Sequence, residues 1–157
     1  IENLLISKKI AKKILPLLKV KMDKEKVELR GCAITRRIID IKPASEIDFK
    51  TEYLAKILSI KVVNDINEAI EFINKYGSHH SDSILTNDKK NANLFLSKID
   101  SAAVFHNAST RFTDGSQFGM GCERGISTDK LHVRGPMGLR ELCSYKYICK
   151  GDYLKRK

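Results

Sequence analysis

The sequence lacks the features that would place it among membrane, secreted or fibrous proteins. It has no tryptophan and only three prolines, and no apolar run approaches the roughly 18 residues that a membrane-spanning helix needs. Neither a signal-peptide core nor an initiator methionine opens the chain, so we expect a cytoplasmic protein whose sequence begins inside a longer one. With 42% hydrophobic and 31% charged residues over 157 positions, the composition is that of one globular domain.

Motifs for cofactors and metals are also missing. A dinucleotide fingerprint on Gly119 and Gly121 fails because Arg124 stands where the third glycine belongs, and there is no Walker A sequence. Cys143 and Cys149, on or next to a predicted strand, are interpreted as packing residues. No Cys-x-x-Cys spacing occurs, and we expect reduced thiols without a disulfide or a metal at all four cysteines: Cys32, Cys122, Cys143 and Cys149.

One sign of charge predominates, because 29 basic residues against 19 acidic residues give a net charge of +10. Such a charge allows nucleic-acid binding or a basic structural module. Eight lysines, however, fall between Lys8 and Lys26 at near-helical intervals around Ile10, Ile14 and Leu17. That pattern is typical of the solvated face of an amphipathic helix, and we expect neither a nucleic-acid partner nor a membrane.

Hydrophobic periodicity predicts an α/β fold in which a parallel open sheet is covered by helices. Ser7 is expected to cap a basic helix that Pro16 kinks or shortens, and Asp65 with Glu68 predicts a capping box. The alternation of strands and helices is typical of parallel sheets. The predicted elements are strands at 27–29, 57–63, 83–86 and 102–106 and helices from 66 to about 75 and from 89 to 99.

Periodicity disappears from Asn107 to about Gly138, and such a long irregular stretch is usually functional. It begins with Asn107, Ser109, Thr110 and Arg111, at the carboxyl end of a predicted strand. An amide, two hydroxyls and a guanidinium suit an anionic ligand, although a solvated polar turn fits the same residues. The pair His79-His80 fits a hydrogen-bonded turn as well as acid–base chemistry. The alternating stretch 144–150 predicts an edge or intersubunit strand.

Three blocks of sequence resemble the gamma-glutamyl phosphate reductases, the proline-biosynthesis branch of the aldehyde dehydrogenase superfamily. The resemblance covers nearly the whole chain, in order and with the family's spacing. Small departures are Phe72, His79 and Cys122, where the family often has His, Gly and a small residue. The blocks are Thr51-Glu52-Tyr53-Leu54 with ILSIKVV (57–63), the run from Val63 to Tyr76-Gly77-Ser78-His79-His80-Ser81, and Asn107-Ala108-Ser109-Thr110-Arg111 with its glycine-rich continuation to Leu139.

This resemblance implies an oxidoreductase that converts gamma-glutamyl phosphate into glutamate 5-semialdehyde with NADPH, through a cysteine thioester. It implies that Glu52 holds the nicotinamide ribose and that His80 organises the site. The substrate-pocket loop would contain Asn107, Ser109, Thr110 and Arg111, with Arg111 on the phosphate or α-carboxylate. The implied partners are the substrate, the N-terminal part of the same enzyme and a second copy of the chain.

The family's catalytic cysteine is followed by Asn-Ala, one further residue and Glu, and this chain opens with Ile1-Glu2. We therefore expect the nucleophile to lie just before Ile1, and we expect this chain alone to be inactive. The implied domains are a catalytic α/β part (1–106), a pocket loop and return segment (107–138), and an oligomerisation strand with a tail (139–157). A stand-alone reductase and the reductase half of a fused kinase–reductase fit equally. The alternative function is a non-catalytic basic module that keeps the scaffold.

Overall fold

The computed structural model describes residues 1–153 and divides the chain into two compact units, Ile1–Thr110 and Arg111–Lys157. Two 3-10 turns, Asp48–Lys50 and Thr110–Phe112, accompany the regular elements. In residues 1–153, no helix combines the length and the apolarity that crossing a membrane requires. The elements are β1 (Asn3–Ser7), α1 (Lys8–Lys24), β2 (Glu28–Gly31), α2 (Ala33–Arg36), β3 (Lys42–Pro43), β4 (Ile57–Val63), α3 (Ile66–Tyr76), β5 (Ser81–Ile84), α4 (Lys89–Lys98) and β6 (Ala103–His106).

The first sheet has the strand order β1-β4-β2-β3, and all of its pairings are parallel. Strand β4 lies between β1 and β2, with Asn3 opposite Ser59 and Glu28 opposite Ile57. Its seven residues are buried or half-buried, as expected for a central parallel strand covered on both faces. The predicted α/β class with parallel strands and covering helices is therefore confirmed.

The strands do not form one sheet, because β5 and β6 pair in a separate two-stranded parallel sheet. Alternation of strands and helices predicts parallel direction, but it does not predict which strands are neighbours. Both edges of β4 are occupied, by β1 and β2, so β5 has no edge of β4 to pair with. Strand β5 also begins and ends two residues earlier than the predicted 83–86.

Helix α1 runs from Lys8 to Lys24 with Pro16 inside it, so Pro16 does not shorten the helix, and the alternative of a kink stays a prediction. A proline inside a helix removes one main-chain hydrogen bond. Pro16 lies on the exposed face, where water can satisfy the carbonyl that loses its partner. Ala11 and Leu15 on the opposite face are buried against the sheet and hold the helix there.

Helices α3 and α4 each begin directly after an aspartate that caps the first turn. Asp65 accepts hydrogen bonds from the amides of Asn67 and Glu68, and Asp88 caps α4 in the same way. The predicted capping box is shifted by one residue, because the Glu68 carboxylate accepts from the Asn64 amide (2.8 Å) and not from Asp65. The turn before α3 is thereby tied to the first turn of the helix.

Two apolar clusters form the core of the first unit. One lies between the first sheet and α1, and the other lies between α3, α4 and the second sheet. Burial of aliphatic side chains is the main favourable contribution to folding. The fully covered members of the two clusters are Ile6, Ala11, Leu15, Leu29, Ile39, Leu58, Ile60 and Val62, and Ile70, Phe95 and Ile99.

The second unit is built mainly of turns, in agreement with the predicted loss of periodicity. Arg124 and Met137 form an antiparallel bridge, and Met137 is buried. Gly115 is required for close packing, because an added Cβ would lie 2.5 Å from the Cys122 carbonyl oxygen.

Residues 144–150 form no strand in the described chain and are exposed, which corrects the expectation of an edge strand within it. No strand of the described chain pairs with them, and alternation alone cannot supply a neighbour. Their addition to a partner's sheet stays a prediction. The predicted boundaries at 106 and 138 also stay predictions, and residues 154–157 of the predicted tail lie outside the described residues.

Candidate active site

A cavity of about 260 Å³ opens at the edge of the first sheet where β1 and β4 begin. Neighbouring parallel strands start at the same edge, so the residues that precede them come together. The main chain joins them directly, since the Ser59 amide donates to the Glu2 carbonyl (2.9 Å). The cavity is lined by Ile1, Glu2, Glu52, Tyr53, Leu54, Ala55 and Ile57.

Glu52 is the lining residue that the resemblance assigns to the nicotinamide ribose. Its side chain is exposed at the cavity and lies next to the aliphatic residues Ala55 and Ile57. An ionised carboxylate has two oxygens that only accept hydrogen bonds, and together they match two adjacent hydroxyl groups. The two acceptor oxygens of Glu52 and the mixed polar and aliphatic lining therefore fit a ribose.

Tyr53, which also lines the cavity, is bound through its hydroxyl to a partly buried polar network. Its hydroxyl donates to Asp48 Oδ1 (2.7 Å) and lies 3.0 Å from Ser59 Oγ. Asp48 also accepts from Arg30 Nη1 (2.5 Å) and, through Oδ2, from the Ser45 amide and hydroxyl (both 2.6 Å). The Asp48 side chain is only 12% exposed, so these donors replace the water that the carboxylate lost.

The network changes the acidity of its members. The Ser45 hydroxyl and the Arg30 guanidinium hold the pKa of Asp48 well below its usual range. Burial raises the pKa of Tyr53, so the phenol keeps its proton and remains a donor. Arg30 is itself held by Glu28, which accepts from Arg30 Nε (2.7 Å) and from Lys42 Nζ (2.6 Å).

Asp48 therefore predicts a pH dependence of stability. A carboxyl group whose pKa is lowered by folding stabilises the native state above its unfolded pKa, about 3.9, and loses that contribution as the pH falls through the folded pKa. We expect the difference in unfolding free energy between the wild type and Asp48→Asn to shrink as the pH falls below about 4. Urea unfolding from pH 7 to pH 2.5 measures it. Exposed Asp40→Asn is the control, and a difference that stays constant with pH would contradict the role of Asp48.

An aromatic cluster holds the turn that carries Asp48. The Phe49 ring packs edge-on against Phe72 with centroids 5.0 Å apart, and Phe72 also contacts Tyr76. Phe72 is buried at 6% exposure. Phenylalanine at the position where the family often has histidine is thus part of the packing of α3 against this turn.

His79 and His80 occupy the turn before β5. His79 has a φ of 58°, a conformation that favours glycine, which explains why the family often has glycine there. The His79 Nδ1 lies 2.7 Å from the Asp100 carbonyl oxygen, and His80 Nδ1 lies 3.0 Å from Ser81 Oγ on the surface. Burial raises the pKa of nearby Asp82, while the Ser101 hydroxyl (2.6 Å) and the two histidines oppose that rise.

Asn107 has a structural role that the sequence did not indicate. Its φ is 54°, and its amide group binds the main chain of Thr86 twice: Oδ1 accepts from the amide (2.9 Å) and Nδ2 donates to the carbonyl (3.0 Å). The connections after β5 and β6 are thereby locked together. Next to it, Ser83 Oγ donates to the Ala108 carbonyl (2.6 Å).

The other residues of the predicted substrate loop follow at once in the chain. Ser109 is exposed and Thr110 is half-buried at the end of the first unit, whereas exposed Arg111 opens the second unit. Thr110 and Arg111 belong to the same 3-10 turn, Thr110–Phe112. Glu52 precedes β4 of the first sheet and Asn107 follows β6 of the second. Ligand contacts by these residues stay predictions.

The cysteines contribute no metal site among residues 1–153, where no group of three or more candidate ligands is placed to hold an ion. All four are free thiols. Cys32 is half-buried; burial raises its pKa, but hydrogen bonding by Thr35 and the Val62 amide outweighs this and lowers it. Cys143 and Cys149 are exposed, so their interpretation as packing residues was wrong within the described chain.

Sequence reasoning missed the network around Asp48. Its members come from β2, from the 3-10 turn and from the residues that flank the start of β4, and no periodic pattern connects them. The only signal was Tyr53 itself, which stands between Glu52 and Leu54 in a block that carries the family resemblance. Long-range hydrogen bonds of this kind become visible only when the fold is known.

Comparison with known proteins identifies relatives along nearly the whole chain. The protein-family model described as "Aldehyde dehydrogenase family" matches residues 5–148 of this chain. The gamma-glutamyl phosphate reductase of Nautilia profundicola is 58% identical over 152 residues, which cover 97% of this chain and 37% of that protein. That of Thermotoga maritima is 55% identical over 157 residues, covering 99% and 38%. The chain therefore spans little more than a third of the length of these curated relatives.

Solved structures show the same similarity. The crystal structure of gamma-glutamyl phosphate reductase from Thermotoga maritima has a TM-score of 0.94 at 55% identity and covers 99% of this chain and 38% of that chain. The gamma-glutamyl phosphate reductase from Saccharomyces cerevisiae has a TM-score of 0.54 at 30% identity, with 74% and 30% covered.

Proposed function

Because the chain belongs to the aldehyde dehydrogenase family, we propose that it is part of an NADPH-dependent gamma-glutamyl phosphate reductase. This enzyme converts gamma-glutamyl phosphate into glutamate 5-semialdehyde in proline biosynthesis. Relatives more than half identical to the chain and named for that reaction support the proposal. The activity is proposed for the full-length protein, in which a further N-terminal part completes the site.

The cavity at the start of β1 and β4 is the observation that carries the proposal. Ile1 and Glu2 line it together with Glu52. One further residue of chain spans at most about 3.6 Å, so a cysteine placed a few residues before Ile1 lies within reach of the cavity. A nucleophile and a ribose-binding carboxylate would then share one site.

In the proposed reaction, the thiolate of that cysteine attacks the acyl phosphate. The carbon–sulfur bond forms, the bond from the acyl carbon to the phosphate oxygen breaks, and phosphate leaves, so a thioester remains. NADPH, when bound, supplies the hydride that takes the thioester to the aldehyde level and frees the thiolate. The part of Glu52 is to hold the ribose so that the nicotinamide faces the reacting carbon.

We assign substrate binding to the loop that follows β6. Arg111 carries the charge for the phosphate or the α-carboxylate, and a guanidinium can bind either group with two parallel hydrogen bonds. Ser109 and Thr110 supply hydroxyls next to it in the chain. Asn107, whose Oδ1 and Nδ2 bind Thr86, supplies the second hydrogen of its amide nitrogen. His80 is proposed to organise the site from the turn before β5, with Ser81 as its hydrogen-bonding partner.

The proposal extends to a cytoplasmic homo-oligomer. Residues 144–150 alternate in character, and Tyr145, Tyr147 and Ile148 are exposed by 82%, 85% and 71%. Addition of this segment to the sheet of a second subunit would cover these apolar side chains and pair its main-chain groups. We assign no nucleic-acid or membrane partner.

Glu52→Gln in the full-length protein tests the cofactor assignment. Loss of the charge weakens two hydrogen bonds to the ribose, so we expect the KM for NADPH to rise about tenfold, with little change in the KM for gamma-glutamyl phosphate. Steady-state kinetics with each substrate varied in turn measures both. Glu71→Gln, an exposed position on α3, is the matched control. Equal small effects of the two variants would contradict the role of Glu52.

A further inference from the structure

The 3-10 turn Asp48–Lys50 is hydrogen-bonded to Tyr53, which lines the cavity, and to residues of the two strands that begin there. On the β1 side, Asn3 Nδ2 donates to the Phe49 carbonyl (3.0 Å). On the β4 side, Tyr53 donates to the Asp48 carboxylate (2.7 Å), and Ser59 Oγ donates to the Asp48 carbonyl (3.3 Å). One short turn therefore links the segment that opens the chain to the segment that carries Glu52.

The Asp48 carboxylate is fixed more firmly than a surface carboxylate. Its Oδ2 accepts from the amide and the hydroxyl of Ser45, and its Oδ1 accepts from Arg30 and Tyr53. Charge-assisted hydrogen bonds are shorter and stronger than neutral ones, and four of them leave the group little freedom. The Arg30 guanidinium also lies over the Tyr53 ring, 5.1 Å from its centroid, so it holds Tyr53 from a second direction.

Tyr53 and Glu52 are adjacent and both line the cavity, but their side chains differ in burial and in hydrogen bonding. The Tyr53 hydroxyl is bound in the network, whereas Glu52 is exposed at the cavity. The next residue, Leu54, has a φ of 49°, a left-handed conformation that an aliphatic residue rarely adopts. Such a conformation persists only where the surrounding structure enforces it, and the residue before Leu54 is Tyr53, which is held in the network.

We propose that Tyr53, held by Asp48 and Arg30, is a positioning residue that directs the Glu52 carboxylate toward the cofactor ribose. The inference rests on the proposed function, because it takes the ribose as the group that Glu52 binds. A carboxylate on a mobile loop would lose conformational entropy when it binds the ribose. Because Tyr53 already restricts the loop before the cofactor binds, part of this entropy cost is avoided.

The test measures NADPH binding to the full-length protein from NADPH fluorescence, without gamma-glutamyl phosphate. Tyr53→Phe keeps the ring over which Arg30 lies and removes the hydroxyl. We expect it to raise the Kd for NADPH about fivefold, as the loss of one hydrogen bond predicts, and to leave the Kd for adenosine 2′,5′-bisphosphate, which lacks the nicotinamide ribose, unchanged. Tyr76→Phe is the matched control, because it removes a surface tyrosine–carboxylate bond to Glu46 (3.0 Å).

A double-mutant cycle separates positioning from general stabilisation. If Tyr53 acts through Glu52, Tyr53→Phe has no further effect on NADPH affinity in a Glu52→Ala background. Equal effects of Tyr53→Phe in both backgrounds, or no effect on the NADPH Kd in the wild type, would overturn the inference while the Glu52 assignment stands. Unchanged NADPH affinity in Glu52→Ala itself would instead contradict the proposed cofactor site, and the positioning role would fail with it.

Discussion

If the proposed function holds, Arg111→Ala in the full-length protein is expected to lower kcat/KM for gamma-glutamyl phosphate by a factor of about ten or more. A charge-assisted hydrogen bond shielded from water contributes about 1.5–3 kcal/mol, which corresponds to a factor of about 10 to 150. The loss should appear as a higher KM for the phosphorylated substrate, or as a lower kcat where the contact strengthens during phosphate release. Phosphate-dependent oxidation of the semialdehyde, the reverse reaction, gives a second measurement.

Two comparison variants make the Arg111 prediction specific. Arg111→Lys keeps the charge but not the planar pair of donors, so it should recover only part of the lost activity. Cys143→Ala alters an exposed thiol with no proposed role and should change kcat/KM little. Equal small effects of Arg111→Ala and Cys143→Ala on kcat/KM would contradict the assignment of Arg111 to the substrate pocket.

Ile60→Ala is expected to destabilise the protein by about 2–5 kcal/mol, the usual range for truncating a buried aliphatic side chain. Ile60 has 0% exposure in β4, the strand that lies between β1 and β2, so the surrounding side chains cannot collapse into the space without disturbing two pairings. Urea unfolding followed by circular dichroism measures the loss of stability.

Two control variants accompany Ile60→Ala: one makes a smaller truncation at the same position, and the other truncates an exposed side chain. Ile60→Val removes a single methylene and should cost about 0.5–1.5 kcal/mol. Leu85→Ala truncates a side chain that is 82% exposed and should change stability little. If Ile60→Ala and Leu85→Ala lower the unfolding free energy equally, β4 is not the core of the first unit.

Local sequence signals predicted most of the helices and strands. Asp65 was recognised as a cap because the interaction is confined to one helical turn, and β4 was recognised because its short run is rich in β-branched residues. The separation of β5 and β6 into a second sheet was not predicted, since the choice of neighbouring strands depends on the whole fold and not on the sequence of β5.

The residues of the candidate site also fall into two groups, those that the sequence indicated and those that only the fold shows. Glu52 was found through the family resemblance, which needs no geometry, whereas Arg111 was already indicated by its place just after a predicted strand. Asp48 and Arg30 were not found, because their pairing joins a short turn to a strand across intervening chain. For Asn107 the sequence indicated a polar residue at a strand end, but only the fold shows that its amide holds Thr86.

The position of β4 also constrains the order in which the chain can fold during synthesis. Strand β1 pairs with no other described strand than β4, and Asn3 lies opposite Ser59, so β1 leaves the ribosome long before its partner exists. Until then β1, with its apolar residues Leu4 and Ile6, lacks the strand with which it pairs in the folded chain. The second sheet, in contrast, is formed by strands that are close in the chain, with only α4 between them. Nascent chains that end before β4 therefore contain an unpaired apolar strand, the kind of segment that chaperones protect from aggregation.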